Sequence, residues 1–357
     1  MPGMAQQEGV EFILIQKDIV YLVDKAKTGE MLNREEIATL FDTAPFTAEA
    51  AYIQHAAREI SSKVSNNTAE VHAHVGINVG PCTRNCKWCS FAAVNKVFVK
   101  GSVMPIGEIV KRCLKMERDG ANAIYLVSTG TFPFGRLLEI IQEVRRNLCP
   151  DTVLIGNIDD FTLKEAYALR DAGLNGVYHA VRLREGVESS IPVEKRLATM
   201  RAAREAGLVL GTCVEPVGPE HTTAELVEAT IIARECGAVY SGCMRRIAVP
   251  DTEVGKRGMI DEERQAYILA VIRLSTQQEM IGMCWHEPSA VGSRAGANIM
   301  WAETGSSPRD THEDCERTRG RSVAEVRKMY LDTGWAVLDG PSLIWRAGIR
   351  TLQKEVV

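Results

Sequence analysis

The sequence predicts an α/β fold, a (β/α)8 TIM-type barrel, complete or partial, with an N-terminal helical extension. Three observations predict it. From about residue 72 onward, short β-prone runs alternate with amphipathic helical stretches. One phrase recurs at the joins, as "ERDGANAIYLVSTG", "RDAGLNGVYHA", "REAGLVLGTCV", "RECGAVYSGCM" and "SRAGANIMWAE", where Gly120, Gly173, Gly207, Gly237 and Gly296 supply the left-handed stop of a helix before an apolar strand. The steps from Gly173 to Gly207 to Gly237 are 34 and 30 residues, the length of one βαβ unit. A doubly wound open sheet shares this rhythm, and periodicity does not separate the two.

Taken in order, the first 70 residues read as helices. "VEFILIQKDIVYLVDKAKTGE" has apolar residues at helical spacing, "NREEIATLF" starts on an N-cap Asn33, and "TAEAAYIQHAAREISSKV" starts on Thr47. Strands are predicted to begin near residues 73, 123, 152, 176, 208, 238, 280 and 297. The expected division is an extension packed on the barrel (1–70), the barrel (71–340) and a C-terminal tail (341–357). In a barrel, chemistry is expected at the C-terminal ends of the strands.

Composition narrows the function. A net charge of −4 argues against a nucleic-acid surface, and no run of about 18 apolar residues suggests a membrane span. The start "MPGMAQQEGVEF" lacks a secretory signal, so a cytoplasmic location is expected. In that compartment the ten cysteines should be free thiols or metal ligands.

Three of them stand together. "GPCTRNCKWCSF" follows the predicted first strand "VHAHVGINVG" and sets Cys82, Cys86 and Cys89 in a C-x3-C-x2-C pattern. A disulfide would leave one thiol over. A tetrahedral zinc would need a fourth ligand, for which His72 and His74 are available. Three thiolates can also hold three irons of a cubane cluster, leaving the fourth iron open to a small molecule.

This motif, Trp88 between its last two cysteines and its place after the first strand resemble the radical S-adenosylmethionine (SAM) superfamily. Over about residues 30–340, with "LNREEIATLF" at the start and "RAGANIMWAETG" near the end, the chain resembles its biotin synthase group, which includes an [FeFe]-hydrogenase maturase and methylornithine synthase. The resemblance implies a [4Fe–4S] cluster on Cys82, Cys86 and Cys89, SAM on its open iron, and Trp88 near the adenine. Ser128, Thr129 and Gly130 of "VSTGT" match the segment that binds the SAM amino group, and Arg196 matches the arginine that pairs with its carboxylate. "YHAVRL" would bring Tyr178, His179 and Arg182 to the ribose and carboxylate, with Arg182 at the family's acidic position. The implied partners are a small-molecule substrate and an electron donor such as flavodoxin or ferredoxin, with no nucleic acid and no membrane.

Biotin synthase holds a second, sulfur-donating cluster on three cysteines and an arginine. Reading across, Ser128, Asn157 and Gly211 fall near the cysteine positions and none is Cys, whereas Arg273 in "VIRLS" matches the arginine. Asn157 is then counted among the cofactor-binding candidates. Cys213, Cys243, Cys284 and Cys315 could hold a different auxiliary cluster, or be separate core thiols. Substrate-pocket candidates are Glu215, Arg245, Arg246 and His286, with Glu287 beside it. The leading expectation is hydrogen abstraction from a small molecule, followed by rearrangement, cleavage or addition. Sulfur insertion with a non-standard auxiliary cluster is a second reading, and a non-catalytic zinc or electron-transfer iron–sulfur protein a third.

Overall fold

A computed structural model describes residues 15–276 and 278–355; the expected helical start at residues 10–14 lies outside them. Three helices come first: α1 (Lys17–Thr28), α2 (Arg34–Asp42) and α3 (Ala48–Val64). Asn33 caps α2 in a reciprocal box with Glu36, and Thr47 caps α3 through the Ala50 amide. The chain then runs through β1 (Thr68–Gly76), a small hairpin of β2 (Asn78–Val79) and β3 (Ser102–Val103), α4 (Ile106–Arg118), β4 (Ala123–Val127), α5 (Phe134–Asn147), β5 (Val153–Asn157), α6 (Leu163–Ala172), β6 (Gly176–Tyr178) and α7 (Val193–Glu205). It continues through β7 (Val209–Gly211), β8 (Val214–Val217), α8 (Thr223–Glu235), β9 (Tyr240–Arg245), α9 (Glu262–Leu274), β10 (Gly282–Cys284), α10 (Ala290–Arg294), β11 (Ile299–Gly305), α11 (Val323–Asp332), β12 (Ala336–Val337) and α12 (Leu343–Glu355).

The strands form a curled parallel sheet in the order β7-β6-β5-β4-β1-β11-β10-β9-β8, with β12 added beside β1. Its two ends, β7 and β8, are halves of one segment split at Thr212 and Cys213. Backbone bonds from Val239 N to Leu210 O (2.8 Å) and from Thr212 N to Tyr240 O (3.2 Å) bridge the seam. The sheet therefore curls back on itself as a barrel, and the open doubly wound alternative is set aside. The first strand begins at Thr68, a few residues earlier than expected. All five joining glycines have positive φ, from 76° at Gly237 to 116° at Gly173, which is the conformation that ends each helix.

Alternation along the strands builds two cores. Ile124 and Leu126 of β4 point out to the helices, while Ala123, Tyr125 and Val127 point into the barrel with Ile155, Tyr240 and Trp301. The segment expected to be a tail is instead helical, and its first turn plugs the barrel. Trp345 is wholly buried there, donating from Nε1 to Tyr125 Oη at 2.9 Å. Helices α2 and α3 pack on α8 and α9, with Gln54 bonded to Glu263 (2.6 Å) and Arg34 to Glu228 (2.7 Å). They flank the barrel's side and contribute nothing to its mouth. No helix among the described residues is long and apolar enough to cross a membrane.

Candidate functional site

The cysteine loop is tied down at both ends and from two neighbouring loops. Cys82 N bonds to Phe91 O (2.7 Å), Cys89 N to Cys86 O (2.9 Å) and Ala93 N to Cys82 O (2.9 Å). Lys87 N reaches Glu188 O, Ser190 N reaches Arg84 O and Ser90 N reaches Pro308 O, so loops following β6 and β11 clamp it. Gly80 is required at its entry, because a Cβ there would lie 2.3 Å from Phe91 O. Phe91, Phe98 and Val79 back the thiols with an apolar wall. Burial pushes the Cys86 thiol up to about 11 and the Cys89 thiol higher still, so metal loading must release their protons.

All three cysteines line one cavity at the C-terminal end of the barrel, about 1320 Å³ including its open mouth. Among the described residues, their Sγ atoms do not gather with one another or with a histidine inside the 4.8 Å span of a single-ion site. A tetrahedral zinc would need sulfurs about 3.8 Å apart. His72 is spent elsewhere, between Tyr125 Oη (3.0 Å) and Glu70 Oε2 (2.9 Å), and His74 Nε2 bonds to Ser306 O (2.8 Å). The donor set suits a cluster broader than one ion, with three soft ligands and no fourth.

Below the loop, the ends of β4 to β6 present the other expected contacts. Thr129 is held reciprocally by Asn78, with its amide on Asn78 Oδ1 (3.0 Å) and Asn78 Nδ2 on its hydroxyl (2.9 Å). Ser128 Oγ and Tyr178 Oη are buried, line the cavity and have no protein partner. Buried hydroxyls left unpaired are costly, which marks these two as ligand-facing. Gly130 passes under an ion pair of Arg84 and Asp159, where a Cβ would come within 2.7 Å of Arg84 Cγ.

Arg196 lines the same cavity and is pinned from behind. Its Nε donates to Glu185 Oε2 (3.0 Å) and its Nη1 faces Asp160 Oδ2 (3.3 Å). Asp160 Oδ1 also meets His179 Nε2 (2.9 Å) and Thr199 Oγ1 (3.0 Å). Burial opposes the charge on Asp160, but the His179 hydrogen bond and the Arg196 guanidinium hold its carboxyl well below the usual range. His179 therefore turns away from the cavity, as strand alternation required of one member of the Tyr178–His179 pair, and acts behind Arg196. Arg182, at the position expected to be acidic, faces inward and pairs with Glu215 Oε1 (3.1 Å), whose other oxygen is buried without a partner.

The later strand ends give a mixed result. Arg245 and Arg246 both line the cavity, but Arg246 is held by Glu220 and Gly258 O (2.9 Å), and Arg245 by Ile260 O (3.3 Å) and Glu262 (3.4 Å). His286 is also in the lining, stacked on Trp301 at 4.9 Å. Of the four cysteines considered for an auxiliary cluster, only Cys213 and Cys284 meet, with Sγ–Sγ 3.5 Å across Gly242, where a Cβ would strike Cys284. Cys243 alternates outward into the helix-facing core, and Cys315 is buried in the turn before α11, so the proposed four-cysteine set does not assemble. Arg273 is corrected as well: it lies on α9, outside the barrel lumen, donating to Met280 O (2.6 Å).

No family model matches the chain. It is similar to the biotin synthase of Desulforudis audaxviator, 25% identical with 72% of this chain and 79% of the relative covered. The biotin synthase of Rippkaea orientalis is 23% identical over 78% of this chain and 80% of its own length. Among solved structures, the [FeFe]-hydrogenase maturase HydG from Carboxydothermus hydrogenoformans superposes with a TM-score of 0.74 at 19% identity, covering 94% of this chain and 82% of that one. Methylornithine synthase (PylB) gives 0.73 at 16% identity, covering 93% and 99%.

The chain is similar in sequence to biotin synthases and in fold to HydG and PylB, the resemblance expected of the biotin synthase group of radical SAM enzymes. That similarity implies a [4Fe–4S] cluster and SAM. Several lining residues escaped the sequence reading: Arg84, Tyr125, Asp159, Met244, Trp301 and Arg309. So did Asp160 and Glu185, which stand behind Arg196. The adjacent acids of "NIDDF", directly after a buried strand, and the single charge inside "IMWAETG" were the available signals.

Proposed function

We propose that this enzyme cleaves SAM reductively and uses the resulting radical to abstract hydrogen from a small molecule held in the barrel lumen. The observation that carries this reading is one cavity holding three clusterable thiols, two unpartnered hydroxyls and an arginine braced by two carboxylates. Cys82, Cys86 and Cys89 would hold the cluster, which would supply one electron for cleavage of the SAM sulfonium to methionine and a 5′-deoxyadenosyl radical. Arg196, fixed by Glu185 and Asp160, offers a guanidinium face to the SAM carboxylate. Ser128, Thr129, Gly130, Asn157 and Tyr178 offer polar atoms and space to the amino group and ribose, and Trp88 an aromatic face to the adenine. The substrate lies deeper, against Met244 and Trp301, which help keep water from a reactive carbon, with His286 and Glu215 as polar contacts. An external electron donor and a small-molecule substrate complete the reaction.

The test is anaerobically reconstituted protein with SAM, dithionite and a panel of small molecules, scoring 5′-deoxyadenosine by mass spectrometry. A substrate should stimulate its release and, when deuterated, transfer deuterium into it. The Cys213–Cys284 pair in the same lumen favours a second reading, sulfur insertion with an auxiliary cluster. Iron content separates the two: about four irons per chain for one cubane, about eight for two.

A further inference from the structure

The radical reading gives no role to His74 on β1 or Glu303 on β11, and these two stand together with His286, just past β10 at the substrate end of the cavity. One ligand atom from each lies within 4.8 Å of the others. Glu303 Oε1 is 2.7 Å from His286 Nε2 and 3.7 Å from His74 Nδ1. The positions are built by the fold, because β1 and β11 pair in register with His74 opposite Glu303. His286 is set by stacking on Trp301, with ring centroids 4.9 Å apart and planes 11° from parallel.

The hydrogen bonding of His74 sharpens this. Its Nε2 meets the Ser306 carbonyl at 2.8 Å, and a carbonyl only accepts. The proton of the neutral ring is therefore on Nε2, and Nδ1 presents a lone pair to the carboxylate of Glu303. Two electron-rich atoms face each other at 3.7 Å, beyond hydrogen-bond reach, beside an open cavity that His74 and His286 both line. A backbone carbonyl on the far nitrogen is the arrangement that fixes a ligating histidine.

The surrounding charge leaves room for a cation. Arg309 and Arg319 face the carboxylates of Glu287, Glu303 and Asp310, two positive groups against three negative ones. Arg309 now donates to Glu303 Oε1 at 2.6 Å, and also to Glu287 Oε1 at 2.9 Å. It can keep the second contact when an ion takes the first.

We infer that His74, His286 and Glu303 bind one divalent first-row cation of borderline softness, such as iron(II) or zinc(II), with its remaining positions open to the substrate cavity. Two imidazoles and a carboxylate suit that class, and an incomplete ligand set leaves places for a substrate oxygen or nitrogen. The site is distinct from the cysteine loop and does not depend on the radical reading.

The test uses zinc as probe. Holoenzyme reconstituted with iron and sulfide is dialysed against micromolar zinc, then analysed for both metals; crystals soaked in zinc are measured at its absorption edge. The expected result is one zinc per chain with iron content unchanged, an anomalous peak among the three side chains, and at least tenfold weaker zinc binding in both His74→Gln and Glu303→Gln. No retained zinc, binding indifferent to both substitutions, or a peak on Cys213 and Cys284 would overturn the inference. Iron content and melting temperature show whether each variant folds, and should Glu303→Gln not fold, His74→Gln decides alone.

Discussion

The barrel holds two buried polar assemblies built from similar residues, and they behave oppositely. At the lower end, Glu70 accepts from Ser342 and from the amides of Leu343 (2.8 Å) and Ile344 (3.0 Å), while His72 links it to Tyr125, which in turn meets Tyr240 (3.2 Å) and Trp345. Each of these polar side chains has a protein partner, and α12 seals the end. At the upper end, acids, a histidine and tyrosine recur, but Ser128, Tyr178 and Glu215 each keep a buried atom unpaired beside an open cavity. Acid, imidazole and phenol in a barrel do not by themselves mark a site; unsatisfied ones facing empty space do. The lower assembly is satisfied within the fold, and the upper one is the proposed binding site.

The strongest way to break this contrast is to remove a cysteine. Cys86→Ala should lower the iron of reconstituted protein from about four per chain to a small fraction of that, with circular dichroism unchanged, because the loop is held by backbone bonds and not by its thiols. Retention of full iron would place the cluster elsewhere. The reverse pattern is expected below. Trp345→Ala should cost about 3–5 kcal/mol of stability, read from denaturant midpoints, while the folded fraction binds SAM as before. A loss of SAM affinity at constant stability would mean that the plug shapes the site.

Arg196→Lys should have a smaller effect. It keeps the charge between Glu185 and Asp160 but loses the fork, so SAM affinity in equilibrium dialysis should fall about 10–100-fold, the worth of a charged hydrogen bond or two. The smallest effect concerns pH at the rim. Burial opposes ionisation of Glu220, yet hydrogen bonds from Arg246 and Arg257 hold its carboxyl down at about 2. Its folded value lies below the unfolded value of about 4.3, so its contribution is complete above that pH and is lost as pH falls toward about 2. Thermal melts of Glu220→Gln should show a shallower acid slope between these limits than the native chain.

Much of this was legible in the sequence because it rests on local rules. The glycine stops, the strand starts and the cysteine spacing are each set within a dozen residues, and the structure keeps them nearly in place. What escaped depends on direction across the barrel. Cys243 and Cys284 look alike in sequence, yet alternation sends the first outward and the second into the lumen. Arg273 was matched to a family arginine by resemblance, which says nothing of direction, and it falls on a helix outside the lumen. Glu185 and Asp160 could be assigned to Arg196 only once three separate segments met.

Whether the cysteine loop supports radical chemistry is decided by 5′-deoxyadenosine formation from SAM by reduced, reconstituted protein. The native chain should form it, and Cys86→Ala only background. Equal yields from both proteins, or none from native protein carrying four irons in the presence of SAM and the full substrate panel, would contradict radical chemistry at this loop.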